Sequence, residues 1–358
     1  MTVSSEITRI NQAKHAIKAA IIAKGVEVND DSRIDEYAGY INNIQAGGSS
    51  EYKHPEFYEA KTSGGTDYTG LFAYHQRGVD LSTLDSSKVT DMQYMFAYYV
   101  NNNYGNETSK ITNLNKLDFS NVLTTKNMFY YCYVKGSLDL SGASFPKLDT
   151  ASRMFYGLYN AESVDLSNVD MPKVTYTDSM FDSCSKLTSI NLTGINMPVV
   201  QKADKMFSGC SKITSLDLSG ISFSNATTID SMFDSCKLLV DVIGEIDCSK
   251  MYHGLCYLSS SYNPFRNCSA LETVYLKNIY KESTNVKNNI NWSINLADTV
   301  IKDECLIYII NELPDLINDK GLTATDKIIL TLPTTNTLTA EQVQVALDKG
   351  WTVANTTY

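Results

Sequence analysis

The eight cysteines and four histidines of this 358-residue chain are its first candidates for chemistry. His15, His54, His75 and His253 fall in no metal-ligand or triad spacing. No CxxC pair is present, and Cys132, Cys184, Cys210 and Cys236 each follow a Phe by three positions inside an apolar run. The thiolate is the nucleophile and the metal ligand, and apolar surroundings disfavour it. Cysteines stacked one above another also come within disulfide reach, but their setting favours inert packing. There is no phosphate loop, no GxSxG elbow and no carboxylate pair that spacing singles out. The expectation is therefore a chain with no catalytic, cofactor-binding or metal-ligating residue, no cofactor and no enzyme activity. A glycan-cleaving enzyme is the alternative, because two carboxylates can converge from distant positions.

Two other residue types recur in a pattern. Asp80, Asp118, Asp139, Asp165, Asn191 and Asp217 each sit at the centre of a short apolar alternation, as in Val79-Asp-Leu81, Leu138-Asp-Leu140 and Leu216-Asp-Leu218. Stacked like charges repel, so this ladder needs hydrogen-bond partners in the adjoining loops or a bound cation, although no compact calcium loop is spelled out. Tyr94, Tyr98, Tyr99, Tyr104, Tyr130, Tyr131, Tyr133, Tyr156 and Tyr159 crowd into residues 94–159. Most follow a Met-Phe pair, where later segments carry Asp, Ser, Gly or Lys. Tyrosine combines large contact area, few rotamers and a polar tip, which suits a recognition surface. The alternative is that these rings shield the segments around them against the chain's N-terminal module.

These residues are positioned by a repeat. The hexapeptide SMFDSC occurs at 179–184 and at 231–236. Met-Phe pairs stand at 95–96, 128–129, 154–155, 180–181, 206–207 and 232–233, in steps of 33, 26, 26, 26 and 26 residues. Such a period marks a solenoid, whose coils share one core with their neighbours. Within a coil, the Leu-Asp-Leu alternation predicts a half-buried strand. Apolar residues at −6, −3, 0 and +1 relative to Met predict one face of a short α- or 3₁₀-helix, with Thr125 and Thr177 interrupting two of the stripes. Residues 237–276 depart from the period and read as one expanded coil, regained at Phe265, Cys268, Leu271 and a strand over 274–276.

The units VDLSNVDMPKVTYTDSMFDSCSKLTS (164–189) and LDLSGISFSNATTIDSMFDSCKLL (216–239) resemble the leucine-rich repeats of BspA-like bacterial surface proteins over about 79–276. The resemblance implies an α/β solenoid of leucine-rich-repeat type, used for adhesion and recognition without catalysis. Residues 1–44 are similar to N-terminal modules of bacteriophage tail and fibre proteins. Ser4 or Ser5 caps a helix carrying Ile7, Ile10, Ile17 and Ile21 that ends at Gly25. That isoleucine stripe implies attachment to other virion proteins or self-association as a homo-oligomer, a trimer being one candidate. The alternative for this segment is a helical cap on the solenoid.

The expected organisation is a helical module over 1–44, a linker and lead-in over 45–78 opening with QAGGSS, a repeat body over 79–284 and a cap over 285–358. In the cap, 292–298 and 327–333 read as strands around a helix over 303–316. A second helix starts at Thr339 with Gln342 at the capping-box position, closes at Gly350 and leads into a strand over 351–353. A net charge of −10 argues against nucleic acid and anionic membrane surfaces as partners. No stretch is apolar enough for a spanning helix, and MTVSSEITRI lacks the basic start and apolar core of a secretory signal. These readings converge on a bacteriophage virion protein of the tail or head-fibre type, made in the host cytoplasm, that recognises a host-surface glycan or protein. A bacterial BspA-like adhesion protein is the alternative.

Overall fold

The computed structural model describes residues 65–73, 75, 78–99, 110–251, 262–280, 293–321 and 328–356. All of them lie in the second of two units into which the chain divides, Gly64–Tyr358. Residues 1–44, with Ile7, Ile10, Ile17 and Ile21, lie outside the described residues, as do Tyr104, His15, His54 and His253.

The body is a β-solenoid of about seven turns with a repeat of about 26 residues. Each coil contributes one short parallel strand, at the apolar-Asp/Asn-apolar alternation in β1 and β3–β6: β1 (Val79–Asp80), β2 (Ile111–Thr112), β3 (Gly136–Asp139), β4 (Ala161–Asp165), β5 (Ser189–Asn191), β6 (Ser215–Asp217), β7 (Asp241–Asp247) and β8 (Thr273–Lys277). β1 pairs with β2, β4 lies between β3 and β5, and β7 lies between β6 and β8, all in parallel. Register follows the period: Leu138, Val164 and Ile190 are partners on one wall, and all three are buried. A second wall is a column of single parallel bridges linking Asp67, Asp91, Thr124, Thr150, Tyr176, Lys202 and Thr228.

The Met-Phe segments are not helical, which corrects the expectation of a strand–helix unit in the body. In every coil from Met95 to Met232, the residue before Met and the residue two after Phe have positive φ. These are Tyr94 and Tyr98, Asn127 and Tyr131, Arg153 and Gly157, Ser179 and Ser183, Lys205 and Gly209, and Ser231 and Ser235. Two left-handed residues within five positions break any helix. The chain instead runs through consecutive turns whose amides alternate partners. Met180 donates to Thr177 of its own coil, whereas Phe181 donates to Met206 of the next, and the same exchange recurs along the stack. The turns place Met and Phe on the inward side together, the outcome that the spacing of three, three and one had suggested for a helix. In this segment every second amide goes to the neighbouring coil, so no coil satisfies its backbone alone.

The core is a ladder of like on like. Phe72, Phe96, Phe129, Phe155, Phe181, Phe207, Phe233 and Phe265 stack with centroids 4.9–5.9 Å apart and planes within 11° of parallel. Offset stacking of this kind adds to the hydrophobic gain of burial. Met180, Met206 and Met232 are buried beside them.

Two coils break the period. The strand of the second coil is Ile111–Thr112, so Thr112, not Asp118, stands beside Asp80. Leu117, Asp118 and Phe119 belong instead to the following loop, where Phe119 stacks on Phe145 at 4.3 Å. The insertion before Ile111 displaces the alternation that the sequence shows at 117–119. In β7, the register against β8 shifts between Asp241 and Glu245, with Gly244 at φ 96°. The bulge takes up two extra residues of β7, since four steps along it match two along β8, and Ile246 and Leu276 remain partners beyond it.

The C-terminal part follows the expected order, although its first helix ends at Glu312 and not at 316, because Leu313, ahead of Pro314, is extended. β9 (Ile294–Asn295), α1 (Asp303–Glu312), β10 (Ile329–Thr331), α2 (Ala340–Asp348) and β11 (Thr352–Ala354) form a parallel sheet in the order β11-β10-β9, with two helices. Thr339 and Gln342 make the reciprocal capping box at the start of α2. The segment from Val300 to α1 covers the last coil: Val300 donates to Leu271 and Lys302 to Glu272, and Tyr308 packs edge-on against Tyr275. No helix among the described residues is long and apolar enough to cross a membrane.

Candidate recognition surface

Because coils stack in register, positions counted from Phe form columns. One after Phe stand Ala97, Tyr130, Tyr156, Asp182, Ser208, Asp234 and Arg266. Two after Phe, at the left-handed position, stand Tyr98, Tyr131, Gly157, Ser183, Gly209, Ser235 and Asn267, all at positive φ. Four after Phe, Tyr133 and Tyr159 precede Ser185, Ser211 and Lys237.

The structure gathers Tyr94, Tyr98, Tyr130, Tyr131, Tyr133, Tyr156 and Tyr159 into one connected cluster. Centroids lie 6.2 Å apart for Tyr94–Tyr130, 5.7 Å for Tyr98–Tyr130 and 4.4 Å for Tyr130–Tyr131. The chain of contacts continues through Tyr130–Tyr156 at 5.1 Å, Tyr131–Tyr159 at 5.5 Å and Tyr133–Tyr159 at 5.1 Å. Tyr94 is 41% exposed and the others are half-buried, so the cluster reaches the surface. Burial raises the pKa of Tyr130, Tyr156 and Tyr159, that of Tyr156 to about 12, with neighbouring Tyr131 adding to each shift. These phenols stay protonated, each keeping an O–H donor.

Tyr99 does not belong to this surface, contrary to expectation. It is 0% exposed because it occupies the third position after Phe, the inward column held elsewhere by Cys132, Leu158, Cys184, Cys210, Cys236 and Cys268. His75 takes the same place one coil earlier and stacks on Tyr99 at 5.8 Å. In the later coils the thiols of this column donate to the preceding Phe carbonyl, from Cys184 to Phe155 at 3.0 Å and from Cys236 to Phe207 at 3.0 Å. Burial pushes the pKa of Cys132 and Cys236 to about 12, which keeps them as thiols.

The aspartate ladder is occupied by backbone. Asp80, Asp139, Asp165, Asn191 and Asp217 each accept the amide two residues on, at 2.8–3.2 Å, and Asp118 makes the same turn from its loop. These Asx turns end each strand and start its loop. Asparagines bridge to neighbouring coils, from Asn113 to Asp80 at 2.7 Å and from Asn191 to Asp165 at 3.1 Å, which relieves the like-charge stacking. The Asn113 and Ser82 hydrogen bonds lower the pKa of Asp80. Among the described residues, no group of three His, Cys, Asp or Glu is placed to hold a metal ion.

Sequence reasoning missed the residues that frame the tyrosines. A Cβ on Gly157 would stand 2.5 Å from Tyr131 Cδ1, so the bare glycine backbone makes room for that ring. Arg153 is exposed in the same column as Tyr94. Asp182 follows Tyr156 in its column, and its own burial raises its pKa against the opposing pull of Ser183 and Lys205. Further on, Asp234 binds the Arg266 guanidinium, with Nε to Oδ1 at 3.0 Å. Gly157 and Asp182 become visible in sequence only when the repeats are aligned column by column.

A family model described as a Mycoplasma protein of unknown function, DUF285, matches residues 56–162 and 149–264. Together these cover more than half of the chain, and the chain belongs to that family, as a BspA-like repeat protein. No curated protein matches the chain.

Proposed function

We propose that this protein is a non-enzymatic recognition protein of the surface-adhesion type, which binds its target through the tyrosine cluster on its repeat body. The observation that carries this reading is the placement of Tyr98 and Tyr131 at positive φ, where other coils have Gly157 and Gly209. The left-handed region disfavours a bulky side chain by roughly 1–2 kcal/mol. Nothing in the core asks for tyrosine there, since glycine and serine serve the same turn in later coils. Strain kept at an outward position argues for a use outside the fold.

The test is binding of the full-length chain, fluorescently labelled, to panels of bacterial and epithelial cells, wild type against a Tyr130→Ser/Tyr156→Ser variant. The expected result is a loss of about tenfold in affinity, equivalent to about 1.4 kcal/mol, in a variant that still unfolds cooperatively, at a melting temperature lowered by the lost ring contacts. Unchanged binding by a folded variant overturns the reading.

The virion setting rests on the similarity of residues 1–44 to bacteriophage modules. In that setting, those residues attach the protein to other virion components. The family match, whose description names a cellular organism, favours the second setting, a bacterial surface protein. Capsid or tail genes flanking the coding sequence, and absence of a 1–44 deletion variant from particles, decide for the virion.

A further inference from the structure

The tyrosines recur in pairs one coil apart: Tyr98 with Tyr131, Tyr130 with Tyr156, and Tyr133 with Tyr159. Their centroids are 5.8, 5.1 and 5.1 Å apart. The surface therefore repeats along the solenoid axis at the spacing of the coils. A periodic surface of this kind fits a ligand with its own repeat. An extended peptide advances about 3.3 Å per residue with alternating faces, so its like-facing side chains fall out of step with the coils. A hexose unit in an extended chain spans about the separation of two stacked coils.

The chemistry of the patch points the same way. Each hexose offers apolar C–H surface and hydroxyls together, and each tyrosine offers an aromatic ring and a hydroxyl. The rings are already packed on one another, so little side-chain freedom is lost on binding. Arg153, exposed at one margin, supplies a further hydrogen-bonding group. The chain's net charge of −10 disfavours a polyanion. The raised phenol pKa values keep the tyrosine hydroxyls as donors.

We infer that the tyrosine face binds a neutral, extended hexose polysaccharide laid along the solenoid axis, with successive sugar rings meeting successive coils. This rests on the recognition reading above and gives it a ligand class.

The test is affinity electrophoresis of the full-length chain in gels containing a soluble glucan, mannan or galactan, with alginate as the polyanion. It is run beside cell binding before and after periodate, which cleaves the vicinal diols of sugars. At least one neutral polymer should retard the wild type, and periodate should abolish cell binding. Tyr130→Ser/Tyr156→Ser and Tyr98→Ser/Tyr131→Ser should each weaken retardation about tenfold. Arg153→Ala, an exposed change that leaves the packed rings in place, should weaken it by a smaller factor. If no neutral polymer retards the protein while cell binding survives periodate, the ligand class is wrong and the recognition reading stands with a protein partner. Retardation by alginate alone, or equal retardation of all the folded variants, also overturns the inference. Absence of binding to any cell overturns the recognition reading and this inference together.

Discussion

The coils around Tyr94–Tyr159 and those around Ser179–Ser235 are built on one internal plan and present different outer faces. Inside, Phe129 and Phe155 continue without a break into Phe181 and Phe207, at the same spacing and tilt. Outside, the column one after Phe passes from Tyr130 and Tyr156 to Asp182, Ser208 and Asp234, and the left-handed column from Tyr98 and Tyr131 to Gly157, Ser183 and Gly209. The backbone is the same on both sides of this change. A solenoid therefore separates two tasks that a compact fold mixes: inward positions carry stability, and outward positions are free to vary coil by coil. Tyr99 shows how strict the separation is. It is a tyrosine among tyrosines in sequence, yet one step along the coil puts it in the core.

The largest effect should come from the shared interior. Phe129→Ala in the tyrosine coils and Phe207→Ala in the later coils should each cost about 3–5 kcal/mol, as buried aromatic truncations do. Urea unfolding of both variants checks this. A large difference between them would break the claim of a uniform core. A smaller effect is expected at Gly157. Ala there must adopt φ near +66° and displace the Tyr131 ring, for a loss of roughly 1–2 kcal/mol. Combining it with Tyr131→Ser should return part of that loss, because the ring no longer occupies the space. Additive losses in the double-mutant cycle would show that the ring and the glycine are not coupled.

The interior was largely legible in the sequence because periodicity reports directly on what faces the core. The Met-Phe period, the strand alternation of Leu138, Val164 and Ile190, and the capping box at Thr339 all appear where their spacing placed them. The Met-Phe segment was misread as helical because a spacing of three, three and one fits a helix and a run of turns equally. Only the backbone at Arg153, Ser179 and Lys205 distinguishes them, and none of those residue types announces positive φ. Asp118 was misplaced because an insertion moves the strand to Ile111 while leaving an apolar alternation at 117–119 as a decoy. The tyrosine surface was legible as an excess of one residue type in one column, but its members were separable only by counting from Phe.

A sharper test of the division between face and core uses the strained tyrosines themselves. Tyr98→Gly relieves about 1 kcal/mol of left-handed strain and removes aromatic contacts with Tyr130 and Tyr131 worth about 0.5–1.5 kcal/mol. The net change in stability should lie within about 1 kcal/mol of zero, while binding falls. Thermal melts and cell binding on the same preparation check both halves. A loss of several kcal/mol would move Tyr98 from the face to the core.

The smallest expected effect lies at the boundary between the two regions, where Asp182 takes over the column from Tyr156. Its burial disfavours the charged form and raises its pKa above the unfolded value, although Ser183, Lys205, Ser179 and Ser208 pull the other way. The folded state therefore holds this proton more tightly than the unfolded chain does. Its contribution to stability is full below the unfolded carboxyl pKa of about 3.9. It is lost as pH rises through the folded value, the opposite of a salt-bridged carboxylate. Asp80, whose pKa is lowered by Asn113 and Ser82, works in the other direction and loses its contribution as pH falls. Asp182→Asn should remove the acid-side gain at this site and leave stability at neutral pH unchanged or slightly higher, since no charge is then buried there. Urea midpoints of wild type and variant between pH 3 and 7 read this out as a difference that grows toward neutral pH in favour of the variant. A difference that grows in favour of wild type would mean that Lys205 and the surrounding hydroxyls hold Asp182 ionised. The column would then hold a buried, paired charge beside the neutral tyrosines, as Asp234 does with Arg266 one step further on.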